Sequence, residues 1–274
     1  MPTVAQKAAA FRALHDNPGL FVIPNPWDAG SARILASLGF KALATTSSGY
    51  AYSIGKVDGE VKRDEALANA RAICAATDVP VNGDLENLYA HEPDAAAATI
   101  AMAADAGLAG CSIEDATGDK AVPIYEFDMA VARVHAAVAA ARALPFPFVL
   151  TARAENFLHG RRDMADTIRR LQAFEAAGAD VLYAPGLADM AAVKQVLAAV
   201  KRPVNVLVSS GNAQLDVAGL AAAGVKRIST GGALARAAIT GFVAAAREIA
   251  GPGTFTYGRS ILPASDIDPL IKGQ

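Results

Sequence analysis

The chain is poor in the residues that mark the commoner kinds of site. Only two cysteines occur, Cys74 and Cys111, far apart in the sequence. One falls on an expected helix and the other on an expected strand. No bridge is expected between them, and a reduced, cytoplasmic setting fits best. The four histidines, His15, His91, His135 and His159, show no metal-ligand spacing, and a surface position is expected for each. Basic blocks are absent and the net charge is −2, which removes the electrostatic footprint of a nucleic-acid partner. Apolar runs are Ala-rich and interrupted by charge or Gly, so no membrane span is expected. The segment from Met1 to Arg12 lacks the basic flank, apolar stretch and cleavage site of a secretory signal. No Gly-x-Gly-x-x-Gly follows the first expected strand, which weakens a dinucleotide-binding reading.

What is present is alternation. The chain has 274 residues, of which 53% are hydrophobic and 19% charged. Short β-branched runs each precede an Ala-rich helical stretch. Strands are expected at Phe21–Pro24, Ala42–Thr45, Pro80–Asp84, Gly110–Glu114, Phe148–Ala152, Val181–Ala184, Val204–Val208 and Arg227–Thr230. Helices are expected at Ala29–Leu38, Lys62–Ala76, Asp94–Ala106, Asp128–Ala143, Asp163–Ala177, Leu187–Ala199, Leu215–Ala223 and Leu234–Ile249. Gly39, Gly107, Gly178 and Gly224 each stand between a helix and the next strand, where a left-handed residue ends the helix. Pro80 and Pro203 open strands, where a missing N–H costs least. Apolar strands alternating with helices imply a parallel sheet covered on both faces. Eight such units in about 250 residues imply a (β/α)8 TIM barrel over residues 1–250. Residues 251–274 form an extension, expected to pack on the barrel or on a neighbouring subunit.

In a barrel of this kind, chemistry sits at the C-terminal ends of the strands. Strand 2 ends in Thr45-Thr46-Ser47-Ser48-Gly49, strand 3 in Asp84-Leu85-Glu86-Asn87, strand 4 in Glu114-Asp115, and strand 5 in Thr151-Ala152-Arg153-Ala154-Glu155. Converging carboxylates repel one another, and a hard divalent cation relieves that repulsion. Asp84 and Glu86 are spaced i, i+2, so both face one side if the segment is extended. With Glu114 they form a candidate magnesium site, and manganese is an acceptable substitute. Arg153 opposite them suits a substrate carboxylate or a developing enolate oxygen. The Ser/Thr/Gly turn offers backbone N–H groups to another anionic oxygen. Asn205 faces the interior by strand parity, and Gly231-Gly232 opens the last helix, a frequent phosphate position. The loop His159-Gly160-Arg161-Arg162 lies on the site side, and Trp27 is read as packing.

These segments, in this order, resemble the isocitrate lyase/phosphoenolpyruvate mutase superfamily from about Pro24 to Ala237. Thr45-Thr46-Ser47-Ser48-Gly49 is similar to the Ser/Gly loop that binds substrate carboxylate there. Gly55-Lys56-Val57-Asp58 resembles a segment whose Asp lies near the metal. Pro80 to Tyr89 resembles a Pro-x-x-x-Asp-x-Asp segment, which implies Asp84 as a direct magnesium ligand and Glu86 as a ligand acting through water. Ile113-Glu114-Asp115 followed by Lys120, and Arg153 in its segment, match further motifs. The resemblance also implies a last helix exchanged between subunits and a homodimer or homotetramer.

Departures narrow the reading. Lys120-Ala121-Val122-Pro123-Ile124-Tyr125 lacks the Cys and His of the isocitrate and methylisocitrate lyase loop. The Asn-Ser-rich loop of the phosphonate-forming mutase is absent too. Glu86 replaces the usual Asp, and Leu88 replaces a frequent Gly, so Leu88 is expected to fill the mouth. The resemblance therefore implies a magnesium-dependent lyase acting on a small anionic 2-oxo or dicarboxylic acid through an enolate, oxaloacetate decarboxylase-like or 2-oxo-acid-forming. Arg153 and Glu114 would serve the enolate, Asp58 would join Asp84, Glu86 and Glu114 at the metal, and Lys120, Tyr125 or water would supply the proton. The alternatives are a phosphonopyruvate or carboxyphosphonate hydrolase or mutase, and a non-catalytic 2-oxo-acid-binding protein.

Overall fold

The computed structural model describes residues 2–273. Eight parallel strands form the sheet: β1 (Phe21–Ile23), β2 (Leu43–Ala44), β3 (Val81–Gly83), β4 (Gly110–Glu114), β5 (Val149–Arg153), β6 (Val181–Tyr183), β7 (Val204–Leu207) and β8 (Arg227–Ser229). Their order is β1-β8-β7-β6-β5-β4-β3-β2, each hydrogen-bonded to the next. One backbone bond, from Ala44 N to Pro24 O at 3.0 Å, crosses the remaining seam between β1 and β2. Asn25 reinforces that seam. Its Nδ2 donates to Thr45 O, and its Oδ1 accepts from the amides of Thr230 and Gly231. The architecture is the expected (β/α)8 barrel.

The helices are α1 (Val4–Asp16), α2 (Ala29–Ser37), α3 (Ser47–Ser53), α4 (Arg63–Ala76), α5 (Pro93–Asp105), α6 (Phe127–Arg142), α7 (Met164–Ala176), α8 (Met190–Ala199), α9 (Val217–Ala222), α10 (Ala233–Ala250) and α11 (Ala264–Lys272). Among the described residues no helix is long and apolar enough to cross a membrane. The glycines expected to end helices do so: Gly39, Gly107, Gly178 and Gly224 have φ of 90°, 93°, 99° and 91°. α8 and α9 begin later than expected because Asp189 and Asp216 act as N-caps, accepting from the amides of Ala192 and Gly219.

Three helices stand apart from the eight of the barrel units, and one of them, α11, is the short helix expected of the extension. α1 carries a capping box, Thr3 with Gln6, and plugs the N-terminal end of the barrel. Its Ala8 and Phe11 are fully buried against Phe21, Ile23, Val149 and Val181. Lys7 anchors it by donating to the carbonyls of Cys74 and Thr77. His15 is therefore buried rather than at the surface, with its ring edge-on to Phe11 and Phe21. α3 replaces the turn expected after β2. α11 lies in the extension and returns to α2, where Arg33 meets Ile271 O. The free thiols of Cys74 and Cys111 are both buried.

The main apolar core lies between the strands and the helical ring, as it must when both sheet faces are covered. The inward-facing residues are unusually polar. Asn82, Ser112, Thr151, Asn205, Arg227 and Ser229 are all buried, where barrels of this kind more often place Val, Ile and Leu.

Sheet packing is tight at Gly110, where an added Cβ would stand 2.4 Å from Val149 O and 3.1 Å from Phe11. Gly110→Ala forces β4 from β5 and the α1 plug from its seat. An expected loss of about 1–3 kcal/mol follows, read as a lowered thermal midpoint beside the wild type. An unchanged midpoint would show that β4 and β5 separate freely.

Candidate active site

The strand ends bring Asp84, Glu114 and Arg153 together. Arg153 Nη1 lies 2.8 Å from Asp84 Oδ1 and 2.7 Å from Glu114 Oε1. Its Nε lies 2.8 Å from Oε1 of Glu155, a fully buried neighbour on the same strand end. The register pairs Glu114 with Arg153 across β4 and β5, so this contact follows from strand alignment. Below the guanidinium is the ring of Tyr183, 4.8 Å from its carbon.

Asp84 is held from a second side. Its Oδ2 accepts from the amide of Ser47, the first residue of α3, and its own amide donates to Thr45 Oγ1. The positive end of α3 thus faces a carboxylate of the protein. That changes the reading of Thr46–Gly49. The Ser47 amide is engaged by Asp84, and the Gly49 amide is capped by Thr46 Oγ1. Gly49 itself is a packing residue, since a Cβ there would meet Thr46 Cγ2 at 2.6 Å. Ser47 and Ser48 still line the inner cavity.

Asp84 and Glu86 do not share an extended segment. β3 ends at Gly83, and Glu86, Leu88 and Tyr89 adopt φ of 49°, 60° and 57°. Three left-handed non-glycine residues within one loop carry strain that the surroundings must hold. Arg133 of α6 holds it. Its fully buried guanidinium donates to the carbonyls of Asn87, Ala90 and His91 and stacks on Tyr125 at 4.4 Å. Leu88 consequently turns into the core rather than filling the mouth. Glu86 reaches the site because its carbonyl accepts from the amide of Glu114.

The electrostatics follow from crowding. Burial first, then Asp84 and Asp58, pushes the Glu86 carboxyl up to about 7. Its Oε1 is buried with no hydrogen-bond partner. Burial raises Glu114 well above the carboxylate range, although Arg153 opposes the shift. Burial and Asp84 raise Asp58, against the opposing influence of Ser47 and Arg153. Five carboxyl groups, Asp58, Asp84, Glu86, Glu114 and Glu155, therefore surround one guanidinium. This donor set fits a hard divalent cation: all oxygen, in charge surplus, with one buried oxygen left unpartnered. As the side chains stand, no three carboxylate, His or Cys groups among the described residues enclose a metal position. Arg153 lies between Asp84 and Glu114, so loading requires it to yield.

Two connected spaces open here. The outer cavity, of ≈ 940 Å³, is lined by Asp58, Glu86, Glu114 and Arg153, with Lys62, Arg63, His91 and His159 also on its wall. The inner one, of ≈ 170 Å³, runs from Ser48 and Gly232 past Arg153 to Asn205 and Arg227. Asn205 does face the interior. Gly231 and Gly232 line this space, but the Gly231 amide is taken by Asn25, and a Cβ on Gly232 would meet Ser48 Oγ at 2.5 Å. Close packing therefore explains this pair better than phosphate binding does.

Two expected catalytic residues lie apart from these spaces. Lys120 is exposed on its loop and lines neither cavity. Tyr125 lines neither cavity; its Oη is 2.6 Å from His91 Nδ1 and 3.2 Å from Asn87 Nδ2, two residues of the outer wall. Sequence reasoning missed Arg133, Glu155, Tyr183 and Arg227. Glu155 was visible two residues after Arg153; the others are helix or strand residues whose roles come from through-space contacts.

The family model described as phosphoenolpyruvate phosphomutase matches residues 11–250. The chain belongs to that family. A solved structure from Burkholderia cenocepacia J2315, provisionally assigned as a lyase/mutase, is 55% identical, with a TM-score of 0.94 and coverage of 97% of this chain and 95% of that one. The oxaloacetate decarboxylase of Paraburkholderia xenovorans is 32% identical over 228 residues, 80% of this chain and 74% of its own. The structure of 2,3-dimethylmalate lyase is 26% identical, with a TM-score of 0.85, covering 98% of this chain and 95% of that one. These relatives are lyases and mutases of one superfamily.

The crowding has a pH signature in metal-free protein. Glu86 rises from 4.5 unfolded to about 7 folded, so its contribution favours the fold below about 4.5 and is lost as pH rises through about 7. Glu86→Gln removes the charge. In chelator-treated protein it should melt above the wild type at pH 8, and the gap should close toward pH 5. A gap that is the same at both pH values would show that Glu86 is not crowded.

Proposed function

We propose that this protein is a divalent-metal-dependent carbon–carbon lyase of small 2-oxo or related dicarboxylic acids, oxaloacetate decarboxylase-like or 2-oxo-acid-forming. The observation that carries the reading is the surplus of carboxyl groups around Arg153, with the Glu86 oxygen unpartnered. Magnesium, or manganese in its place, would be held by Asp84, Glu86, Glu114 and Asp58, and supplies a Lewis acid that favours enolate charge. The protein's own groups do the rest. Asp84 is pre-oriented by the Ser47 and Thr45 contacts. Arg153, freed from Asp84 and Glu114, turns its guanidinium to the enolate oxygen or carboxylate of the substrate. Glu155 and the Tyr183 ring keep that guanidinium in place. The proton that quenches the enolate comes from water in the outer cavity, whose wall includes neither Lys120 nor Tyr125.

Incubation with oxaloacetate, 2,3-dimethylmalate-like acids and phosphonopyruvate, each with magnesium, tests the reading through pyruvate or other 2-oxo-acid release. Turnover of a carbon-only acid is expected. Asp84→Ala should reduce it by about 10²-fold or more, as loss of a charge-stabilising group does. Turnover of phosphonopyruvate alone would favour the hydrolase or mutase reading. An Asp84→Ala enzyme with full magnesium-dependent activity would remove the metal assignment.

The chain is also proposed to form a homodimer or homotetramer through α10. Only Ala235 of that helix is buried, while Ile239, Phe242 and Ile249 are exposed. Phe255, Ile261 and Leu262 extend the apolar surface beyond it. A patch of this kind marks an association surface. Light scattering should give a dimer or tetramer mass for the wild type and a smaller species for Phe242→Glu. A monomeric wild type would contradict the proposal.

A further inference from the structure

Asn87, His91 and Tyr125 join the loop after β3 to the segment before α6, in a network that the chemistry above leaves unused. The Asn87 amide is oriented by Tyr89, whose N–H donates to Oδ1 at 3.0 Å. Nδ2 of Asn87 therefore donates, to Thr117 O at 3.3 Å and to Tyr125 Oη at 3.2 Å. With Oη accepting there, the phenol hydrogen is directed to His91 Nδ1, 2.6 Å away. That fixes the imidazole tautomer: Nδ1 accepts and Nε2 carries the hydrogen. Nε2 bonds to none of the described residues, and the His91 ring is exposed on the outer cavity wall. Behind the phenol stands Arg133, 1% exposed, which donates only to the carbonyls of Asn87, Ala90 and His91. Its Nε has no partner, and its guanidinium carbon lies 4.4 Å from the centre of the Tyr125 ring. A buried cation held by neutral groups favours negative charge beside it. Burial pulls Arg133 below its usual range, and Tyr125 and then Glu92 oppose that shift.

We infer that Tyr125 and His91 form a proton relay that resupplies the outer-cavity water that quenches the enolate. This rests on the enolate reading of the mouth and names the source of its proton. Tyr125 lies outside the cavity, and His91 is its route in. In one pass the Oη–H bond of Tyr125 breaks as Nδ1–H forms on His91. The Nε2–H bond breaks as its proton passes to the water, which gives a proton to the enolate carbon. The imidazole stays neutral and only exchanges tautomers. The phenolate left behind faces the Arg133 guanidinium and the Asn87 amide, both already in place to receive negative charge. A proton from bulk water on Nε2 then reverses the relay. The competing donors are otherwise placed: Lys120 lines neither cavity, and the carboxyl groups of the mouth are assigned to the cation.

Deuterium uptake at C3 of pyruvate, in heavy water with magnesium, reads the relay in reverse and needs no carbon–carbon cleavage. The wild type should exchange, as followed by proton NMR. Tyr125→Phe, which keeps a ring against Arg133, should slow exchange by about 10²-fold or more. His91→Ala should do the same, added imidazole should restore part of the rate, and this variant carries the test alone should Tyr125→Phe fail to fold. Magnesium-dependent oxalate affinity, measured by calorimetry, should be unchanged in both, because neither side chain lies among the groups that hold the acid. Unchanged exchange in either folded variant would overturn the relay, as would a wild type that exchanges nothing. A parallel fall in exchange and oxalate affinity, without imidazole rescue, would also overturn it, since that is what a purely structural role gives. Exchange that needs both residues in a protein that cleaves no carbon–carbon bond would keep the relay and refute the lyase reading.

Discussion

Charge imbalance at the barrel mouth is the constraint from which the rest of the site follows. Asp84, Glu114 and Glu155 contact one guanidinium, that of Arg153, and Asp58 and Glu86 press on the same region. Each carboxyl is partly or wholly withdrawn from water, so mutual repulsion is poorly screened. One arginine cannot neutralise five acids. A protein that maintains such a cluster must protonate some of them, admit a cation, or both. In the structure Arg153 balances Asp84 and Glu114; on the proposed metal-dependent reading it would become available to an anionic ligand once another cation took them over.

Holding repelling groups together requires a stiff frame, and the fold supplies it from behind. Parallel register aligns Glu114 with Arg153. The loop that carries Glu86 passes through left-handed residues and is clamped by Arg133, which lies on α6 well away from the chemistry. Ion pairing of Asp115 with Arg170, and the hydrogen bond from the Glu155 amide to Asp115, brace the ends of β4 and β5 from outside the barrel. At the opposite end, α1 closes the barrel bottom and sets His15 against Arg227. The interior thus has a dry apolar base, a buried cation above it, and an acidic mouth.

Much of this was readable in the sequence for a physical reason. Strand and helix periodicities differ, glycines mark helix ends, and acids at the ends of successive strands must converge if the sheet closes. Asp84, Glu114 and Arg153 were found by that logic. The logic failed where side-chain placement depends on contacts distant in sequence. Glu86 was assigned to an extended segment because spacing does not reveal φ, and Leu88 was sent to the mouth for the same reason. Lys120 was placed near the chemistry from its order in the chain, whereas its loop carries it outward. The Ser/Thr/Gly stretch was read as an open turn, but Thr46 caps it into α3, and its amides turn to Asp84. α1 precedes the first strand and so falls outside the strand–helix alternation, and only the capping box of Thr3 and Gln6 marks it in the sequence.

Family membership fixes the scaffold and leaves the chemistry to be decided at the mouth. The most direct measurement is calorimetric titration of magnesium into chelator-treated protein near pH 6.5, in two buffers of different ionisation enthalpy. Relief of carboxyl crowding by a cation predicts saturable binding with net proton release, because raised carboxyl groups such as Glu86 must ionise to ligate. Absence of saturable binding, or binding with no proton release, would contradict it.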